Sequence, residues 1–159
     1  MVTYRIMKAG QDYPVPLVYP HFVSGTSSYV NYQLEADGYR MGLISNAGDD
    51  QDVQQLARRF GIAQYFDFIL TSAACSYRKP HRRIFELALS NWYFLPSEAV
   101  MVGDNLDADI RGAQSVGLFA VWISRRAGQR IEEQLSIKPD ASLSTLYELP
   151  PFLDQLQVQ

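Results

Sequence analysis

The sequence predicts an α/β protein with a doubly wound parallel sheet in a three-layer, Rossmann-like core. Two observations predict this class. Short apolar runs typical of buried strands alternate, between residues 41 and 143, with segments whose apolar residues recur at helical spacing. Polar and charged residues directly follow several of these runs, and in such sheets ligands bind just beyond the carboxyl ends of the strands.

Five short segments are predicted to form the strands, at 41–44, 66–70, 99–102, 119–123 and 139–143. The first four are largely apolar, as parallel strands covered on both faces are. Helices are predicted between them at 27–37, 52–60, 81–90 and 106–116, and a closing turn or helix at 146–156. Residues 127–136 are polar, and their pattern leaves a helix and a loop open.

The N-terminal 26 residues are predicted to lie outside the main domain, which covers residues 27–159. Val2, Tyr4 and Ile6 alternate with polar residues and predict a short strand. Three prolines and two glycines between residues 10 and 25 then predict irregular, extended chain. We therefore expect residues 1–26 to form an irregular segment.

Composition excludes several classes of function. A chain of 159 residues with 47% apolar residues fits one globular domain with its own core. Its net charge of −3 offers no basic footprint for nucleic acid, and no apolar run is long enough for a signal peptide or a membrane span. The single cysteine, Cys75, fits a reducing compartment. We expect a cytoplasmic protein without nucleic-acid or membrane partners, and the oligomeric state stays open.

A cluster of three carboxylates follows the predicted strand at 99–102. Asp104 comes directly after Gly103, and Asp107 and Asp109 lie at the start of the next predicted helix. Acidic residues in a first helical turn interact favourably with the helix dipole, which explains Asp107 well. It explains Asp104 poorly, because this residue precedes the helix. Carboxylates crowded at a strand end repel one another unless a cation lies among them, and hard oxygen ligands favour Mg²⁺ or Ca²⁺.

Other polar side chains are predicted to meet these carboxylates at the same edge of the sheet. Ser45 and Asn46 follow the strand at 41–44, and Lys79 lies in a loop after the strand at 66–70. Alone, each has an ordinary explanation as a turn residue or a solvated lysine. Together, a hydroxyl, an amide, a lysine and paired carboxylates are what a phosphate site with Mg²⁺ requires.

These motifs resemble those of the haloacid dehalogenase-like hydrolase superfamily, and above all its Mg²⁺-dependent phosphatases. Residues 43–46 resemble the family's second motif, an apolar strand ending in Ser or Thr. Residues 77–80 resemble the third motif, with its catalytic lysine, and residues 102–104 with Asp109 resemble the fourth, whose acids bind the metal. The resemblance covers roughly residues 27–150. It implies a Rossmann-like core and a phosphomonoester phosphatase.

The resemblance also implies a role for each matching residue. Ser45 would hydrogen-bond a phosphoryl oxygen, with Asn46 beside it, and Lys79 would neutralise the nucleophile and the phosphate. Asp104 would bind Mg²⁺, and Asp109 would either support the metal or orient Lys79. The implied substrate is a small phosphorylated metabolite. A carbon–halogen dehalogenase is favoured less, because such members need no metal site.

One part of the family pattern is not found in the sequence. The first motif is an apolar strand ending in Asp-x-Asp-x-Thr, whose first Asp is the nucleophile and whose second is the acid/base. Residues 50–52 have the Asp-x-Asp spacing but follow the second motif at a helix start. In the family the first-motif strand is central, so we expect residues 2–7 to fill that position. Residues 1–26 would then be a cap remnant, without a complete cap domain.

Two functions stay open at this point. The first is a phosphatase-like hydrolase whose given chain lacks its N-terminal part, so that its own activity is doubtful. The second is a non-catalytic module that binds Mg²⁺ and phosphate, or a protein partner, without turnover. A receiver-like domain fits the spacing from Gly103 to Asp109 less well.

Overall fold

The computed structural model of the chain describes residues 16–19, 26–124 and 136–156. Its strands are β1 (Pro16–Tyr19), β2 (Arg40–Ser45), β3 (Phe68–Thr71), β4 (Val100–Gly103), β5 (Phe119–Ile123) and β6 (Ala141–Leu143). Its helices are α1 (Thr26–Ala36), α2 (Asp50–Arg59), α3 (Ser72–Cys75), α4 (Arg82–Ser90), α5 (Gly112–Gln114) and α6 (Leu149–Leu156). A π-helical turn, Leu106–Arg111, leads directly into α5.

The six strands form one parallel sheet in the order β3-β2-β1-β4-β5-β6. Two buried clusters cover its faces: α1, α2 and α6 contribute to one, and α4, α5 and the π-helical turn to the other. Within β4, Val100 and Val102 belong to the first cluster and Met101 to the second, as the alternation of side chains along a strand requires. The predicted α/β, three-layer architecture is therefore confirmed.

The centre of the sheet differs from the prediction. Strand β1 (Pro16–Tyr19) lies between β2 and β4, with Tyr19 opposite Leu43 and Val18 opposite both Gly42 and Met101. The expectation that residues 2–7 fill this position is wrong, and residues 2–7 themselves lie outside the described part of the chain. The prediction of irregular chain is also wrong for Pro16–Tyr19. Proline is tolerated at the first residue of a strand, and Val18 and Tyr19 are residue types that favour strands.

The remaining strands lie where the apolar runs predicted them, within a few residues. The helix predicted at 106–116 begins instead as a π-helical turn, because the Ile110 amide donates to the Asn105 carbonyl (3.3 Å) five residues earlier. Most of the segment at 127–136, predicted as helix or loop, lies outside the described residues. Within the described ranges, none of the helices has the length and apolar character needed to cross a bilayer.

Candidate functional site

The carboxyl ends of β2 and β4 carry two of the predicted site residues, with β1 between the two strands. Ser45 is the last residue of β2, and Asp104 follows Gly103, the last residue of β4. Ser45 is buried, and no hydrogen bond from another described residue engages its hydroxyl. Asp104 is half-buried. The predicted edge of the sheet therefore presents a hydroxyl and a carboxylate.

Lys79 is the third predicted residue, and it is buried rather than solvated. Only 3% of the residue is exposed. Its ammonium donates to the carbonyl of Ile44 (Nζ to O, 3.1 Å), the residue that precedes Ser45. The same ammonium lies 2.7 Å from Oδ1 of Asp109. Since a buried charge is stable only with partners, these two contacts explain how a lysine is held at this edge.

Burial lowers the pKa of the Lys79 ammonium from its ordinary value of 10.5, because the surrounding protein solvates charge less well than water does. The negative charges of Asp109 and, more weakly, Asp104 oppose that shift in the pKa. The electrostatics of Lys79 therefore combine burial, the larger effect, with two of the three carboxylates that the sequence singled out.

One contact at each carboxylate oxygen orients the side chain of Asp109. Oδ1 faces Lys79 and accepts no other hydrogen bond from the described residues, while Oδ2 accepts from the Asn105 amide (3.0 Å). The π-helical turn brings Asp109 back over the end of β4. There the carboxylate lies so close to Gly103 that a Cβ on that glycine would stand 2.6 Å from Oδ2 and 2.4 Å from the Asp109 Cβ. Gly103 is therefore required for this close approach.

Asn46 binds the backbone of Lys79 through its side-chain amide. Nδ2 donates to the Lys79 carbonyl (2.9 Å), and Oδ1 accepts from the Lys79 amide (2.8 Å). The peptide bond that follows, between Lys79 and Pro80, is cis. The loop after β2 and the loop that carries Lys79 are thereby joined by a reciprocal pair of hydrogen bonds.

A second pair of hydrogen bonds fixes the loop after β2 from the side of β3. The Ser72 hydroxyl donates to the Ala47 carbonyl (2.9 Å) and accepts from the Ala47 amide (3.0 Å). Next to it, the Thr71 hydroxyl donates to Asp50 Oδ1 (2.7 Å). Sequence reasoning placed no function on Thr71 and Ser72. Thr71 ends β3 and Ser72 follows it, and this position was the signal that could have indicated a role at this edge.

Asp104 is the side chain best suited to a cation. Its backbone carbonyl accepts from the Trp122 indole (3.0 Å), whereas no hydrogen bond or ion pair with a described residue engages its carboxylate. Asp109 is less available, because both of its oxygens already have protein partners. The described ranges hold no group of three or more His, Cys, Asp or Glu that could enclose a metal. One free carboxylate fits Mg²⁺, which often takes one or two carboxylates and completes its shell with water and phosphate.

The other carboxylates singled out from the sequence have different neighbours. Asp107 pairs with Arg111 one turn further along, in agreement with its expected place in the first turn. Asp50 and Asp52 lie in the first turn of α2. The residues that come together are therefore Ile44, Asn46 and Lys79 with Asp109. Ser45 stands at the carboxyl end of β2, and Asp104 stands at that of β4.

Comparison with known proteins gives a consistent result. Residues 19–123 match the family described as haloacid dehalogenase-like hydrolase. Glyceraldehyde 3-phosphate phosphatase from Pyrococcus furiosus is 33% identical over 125 residues, which are 79% of this chain and 50% of that protein. Phosphoserine phosphatase from Thermus thermophilus is 36% identical over 112 residues, which are 70% of this chain and 43% of that protein.

A solved structure gives the same result for the fold. The crystal structure of a HAD phosphatase from Thermococcus onnurineus superposes with a TM-score of 0.71 at 32% identity, over 82% of this chain and 58% of that one. The chain spans about half the length of the curated relatives that it matches.

Proposed function

This chain belongs to the haloacid dehalogenase-like hydrolase family, and we propose that it acts on small phosphomonoesters at the edge formed by Ser45, Lys79 and Asp104. The relatives named as phosphatases of glyceraldehyde 3-phosphate and phosphoserine support this substrate class. The lone Cys75 fits a reducing compartment, and we place the protein in the cytoplasm. The proposal needs no nucleic-acid or membrane partner.

The observation that supports the proposal most strongly is the buried ammonium of Lys79. An ammonium has three donors, and the contacts with Ile44 and Asp109 account for two of them. A phosphoryl oxygen can accept from the third. Because the ammonium is desolvated and already oriented, its attraction for a phosphate is stronger than that of a solvated lysine.

Ser45 and Asp104 complete the site that we propose. The Ser45 hydroxyl has no described partner and can donate to a phosphoryl oxygen. Asp104 would hold Mg²⁺, which when bound would neutralise charge on the phosphoryl group. In this proposal Asp109 does not bind the metal but holds the Lys79 ammonium in place, the alternative that its two engaged oxygens favour.

A second function is favoured by one specific observation. The strand between β2 and β4 is β1, and its residues Pro16–Tyr19 contain no carboxylate. In the family this central strand ends at the attacking aspartate, which the sequence does not show at β1. A non-catalytic module that binds phosphate with Mg²⁺ is therefore the second candidate.

Two measurements separate these functions. The first is release of inorganic phosphate from glyceraldehyde 3-phosphate and from O-phosphoserine, with and without Mg²⁺. The second is calorimetric titration of the same protein with inorganic phosphate and Mg²⁺. Turnover that Ser45→Ala lowers about tenfold, the effect of losing one donor to a charged group, supports the hydrolase. Saturable binding without turnover supports the module.

Two results would contradict the whole proposal. The first is a folded protein that neither binds phosphate nor releases it. The second is chloride release from 2-chloropropionate without any phosphatase activity, which would make the chain a carbon–halogen dehalogenase.

A further inference from the structure

The side chain of Asn46 lies between two segments that are far apart in sequence. It follows Ser45 in the loop after β2, and it bonds to Lys79, 33 residues later. Both bonds are short, at 2.9 and 2.8 Å, and they engage the two different polar atoms of the amide. Together they reproduce the pair of hydrogen bonds that two neighbouring strands would exchange.

We infer that Asn46 is a positioning residue for Lys79. The role of Lys79 in this inference rests on the proposed function, whereas the clamp itself is a property of the protein without substrate. The contact with phosphate that the sequence predicted for Asn46 is a separate role, which the clamp does not require.

The geometry at the other end of Lys79 explains why a clamp on its backbone matters. The ammonium is fixed by the Ile44 carbonyl and by Asp109. Ile44 and Asn46 flank Ser45. The backbone and the ammonium of Lys79 are therefore both held by residues at the end of β2. A shift of the Lys79 backbone would therefore move the ammonium relative to the Ser45 hydroxyl, and phosphate recognition depends on such distances.

The same bonds restrict the ways in which Asn46 could contact phosphate. Turning the amide toward a ligand would break both bonds at once and leave the Lys79 N–H and C=O without this partner. With both bonds intact, the second N–H of Nδ2 is the group of this side chain that could still donate to a phosphoryl oxygen.

Selective labelling makes the clamp directly measurable. The chain contains three lysines, Lys8, Lys79 and Lys138. In protein labelled with ¹⁵N,¹³C-lysine, the Lys79 amide reports the bond to Asn46 Oδ1 through its hydrogen exchange, and the Lys79 ¹³Cε resonance reports the surroundings of the ammonium. The phosphate affinity of each variant is measured by calorimetry in the presence of Mg²⁺.

Three variants test the inference. Asn46→Ala removes both bonds. Asn46→Asp keeps an acceptor for the Lys79 amide but loses the donor to its carbonyl. Asn91→Ala is the matched control, because Asn91 also donates from its side chain to backbone carbonyls, of Leu87 and Ala88, but at the far end of α4.

We expect Asn46→Ala to accelerate exchange of the Lys79 amide about tenfold or more, to shift its ¹³Cε resonance and to weaken phosphate binding five- to tenfold, the effect of about one lost hydrogen bond. Asn46→Asp should retain slow exchange of the Lys79 amide, and Asn91→Ala should match the wild type in all three measurements.

Two results would overturn the inference. One is Asn46→Ala with unchanged Lys79 exchange and ¹³Cε signals. The other is weaker phosphate binding with both Lys79 signals at their wild-type values, which would mean that Asn46 contacts the phosphate itself. If the wild type does not bind phosphate, the proposed function fails, while the two Lys79 signals of the free protein still decide whether the clamp exists.

Discussion

Lys79 and Asp109 form an ion pair in which both side chains are almost completely buried. Their charged atoms lie 2.7 Å apart, and 2% and 1% of the two side chains are exposed. A buried pair of this kind is weak evidence for stability in itself, because desolvation offsets the attraction between the charges. Its geometry nevertheless sets the position of the charge that we propose binds phosphate.

Removing one partner of this pair should destabilise the protein strongly. Asp109→Asn leaves the Lys79 ammonium buried without a counter-charge, and we expect the free energy of unfolding to fall by about 3–5 kcal/mol. Glu86→Gln is the control, because Glu86 pairs with Arg82 and Arg83 on the surface, where water screens the charges and such pairs add little to stability. Urea unfolding of both variants measures the difference. Equal losses in the two variants would show that the buried pair has no special role.

A second prediction, on stability, follows from the close approach of Asp109 to the end of β4. Gly103→Ala would place a Cβ 2.4 Å from the Cβ of Asp109, so the carboxylate or the strand must move. We expect a loss of about 1–3 kcal/mol of stability, the usual cost of overpacking. Gly48→Ala is the matched control, since within the described part of the chain no atom beyond its two sequence neighbours lies within 4 Å of the added Cβ, and its effect should stay within about 0.5 kcal/mol. Thermal unfolding of the two variants compares them, and a Gly103→Ala variant as stable as Gly48→Ala would contradict the observed packing.

The carboxylate of Asp104, which no described residue engages, should account for any effect of Mg²⁺. Asp104→Asn is expected to weaken Mg²⁺-dependent phosphate binding at least tenfold, because a neutral amide replaces the charged ligand. Asp107→Asn is the control, since Asp107 already pairs with Arg111. The fluorescence of Trp122, whose indole binds the Asp104 carbonyl, offers a second readout of Mg²⁺ titrations. If both variants respond to Mg²⁺ like the wild type, Asp104 is not the ligand.

The sequence predicted the parts of this site that depend on local pattern. Ser45 and Asp104 were predicted at the sheet edge because apolar runs precede them, and parallel strands bring their carboxyl ends together. The burial of Lys79 could not be predicted in this way, because it depends on the Ile44 carbonyl and Asp109, which lie 35 residues before it and 30 residues after it. A lysine without such partners stays in water.

Strand β1 and the side chain of Asn46 show two further limits of sequence reasoning. The prolines around Pro16–Tyr19 predicted irregular chain, yet the position between β2 and β4 has unpaired backbone groups on both sides that a short strand satisfies. For Asn46, residue type and position fit a phosphate contact and a backbone clamp equally well. Only the two distances to Lys79 reveal the clamp.

The central claim is that the buried Lys79 ammonium binds a phosphoryl group, and one titration of the wild-type protein tests it most directly. Protein labelled with ¹³C-lysine is titrated with inorganic phosphate in the presence of Mg²⁺, and the ¹³Cε resonances are followed. Lys138 is exposed and serves as the internal control. We expect the Lys79 resonance to shift with a saturable dependence on phosphate while that of Lys138 stays constant. A Lys79 resonance that does not move, or that only follows Lys138, would contradict the account.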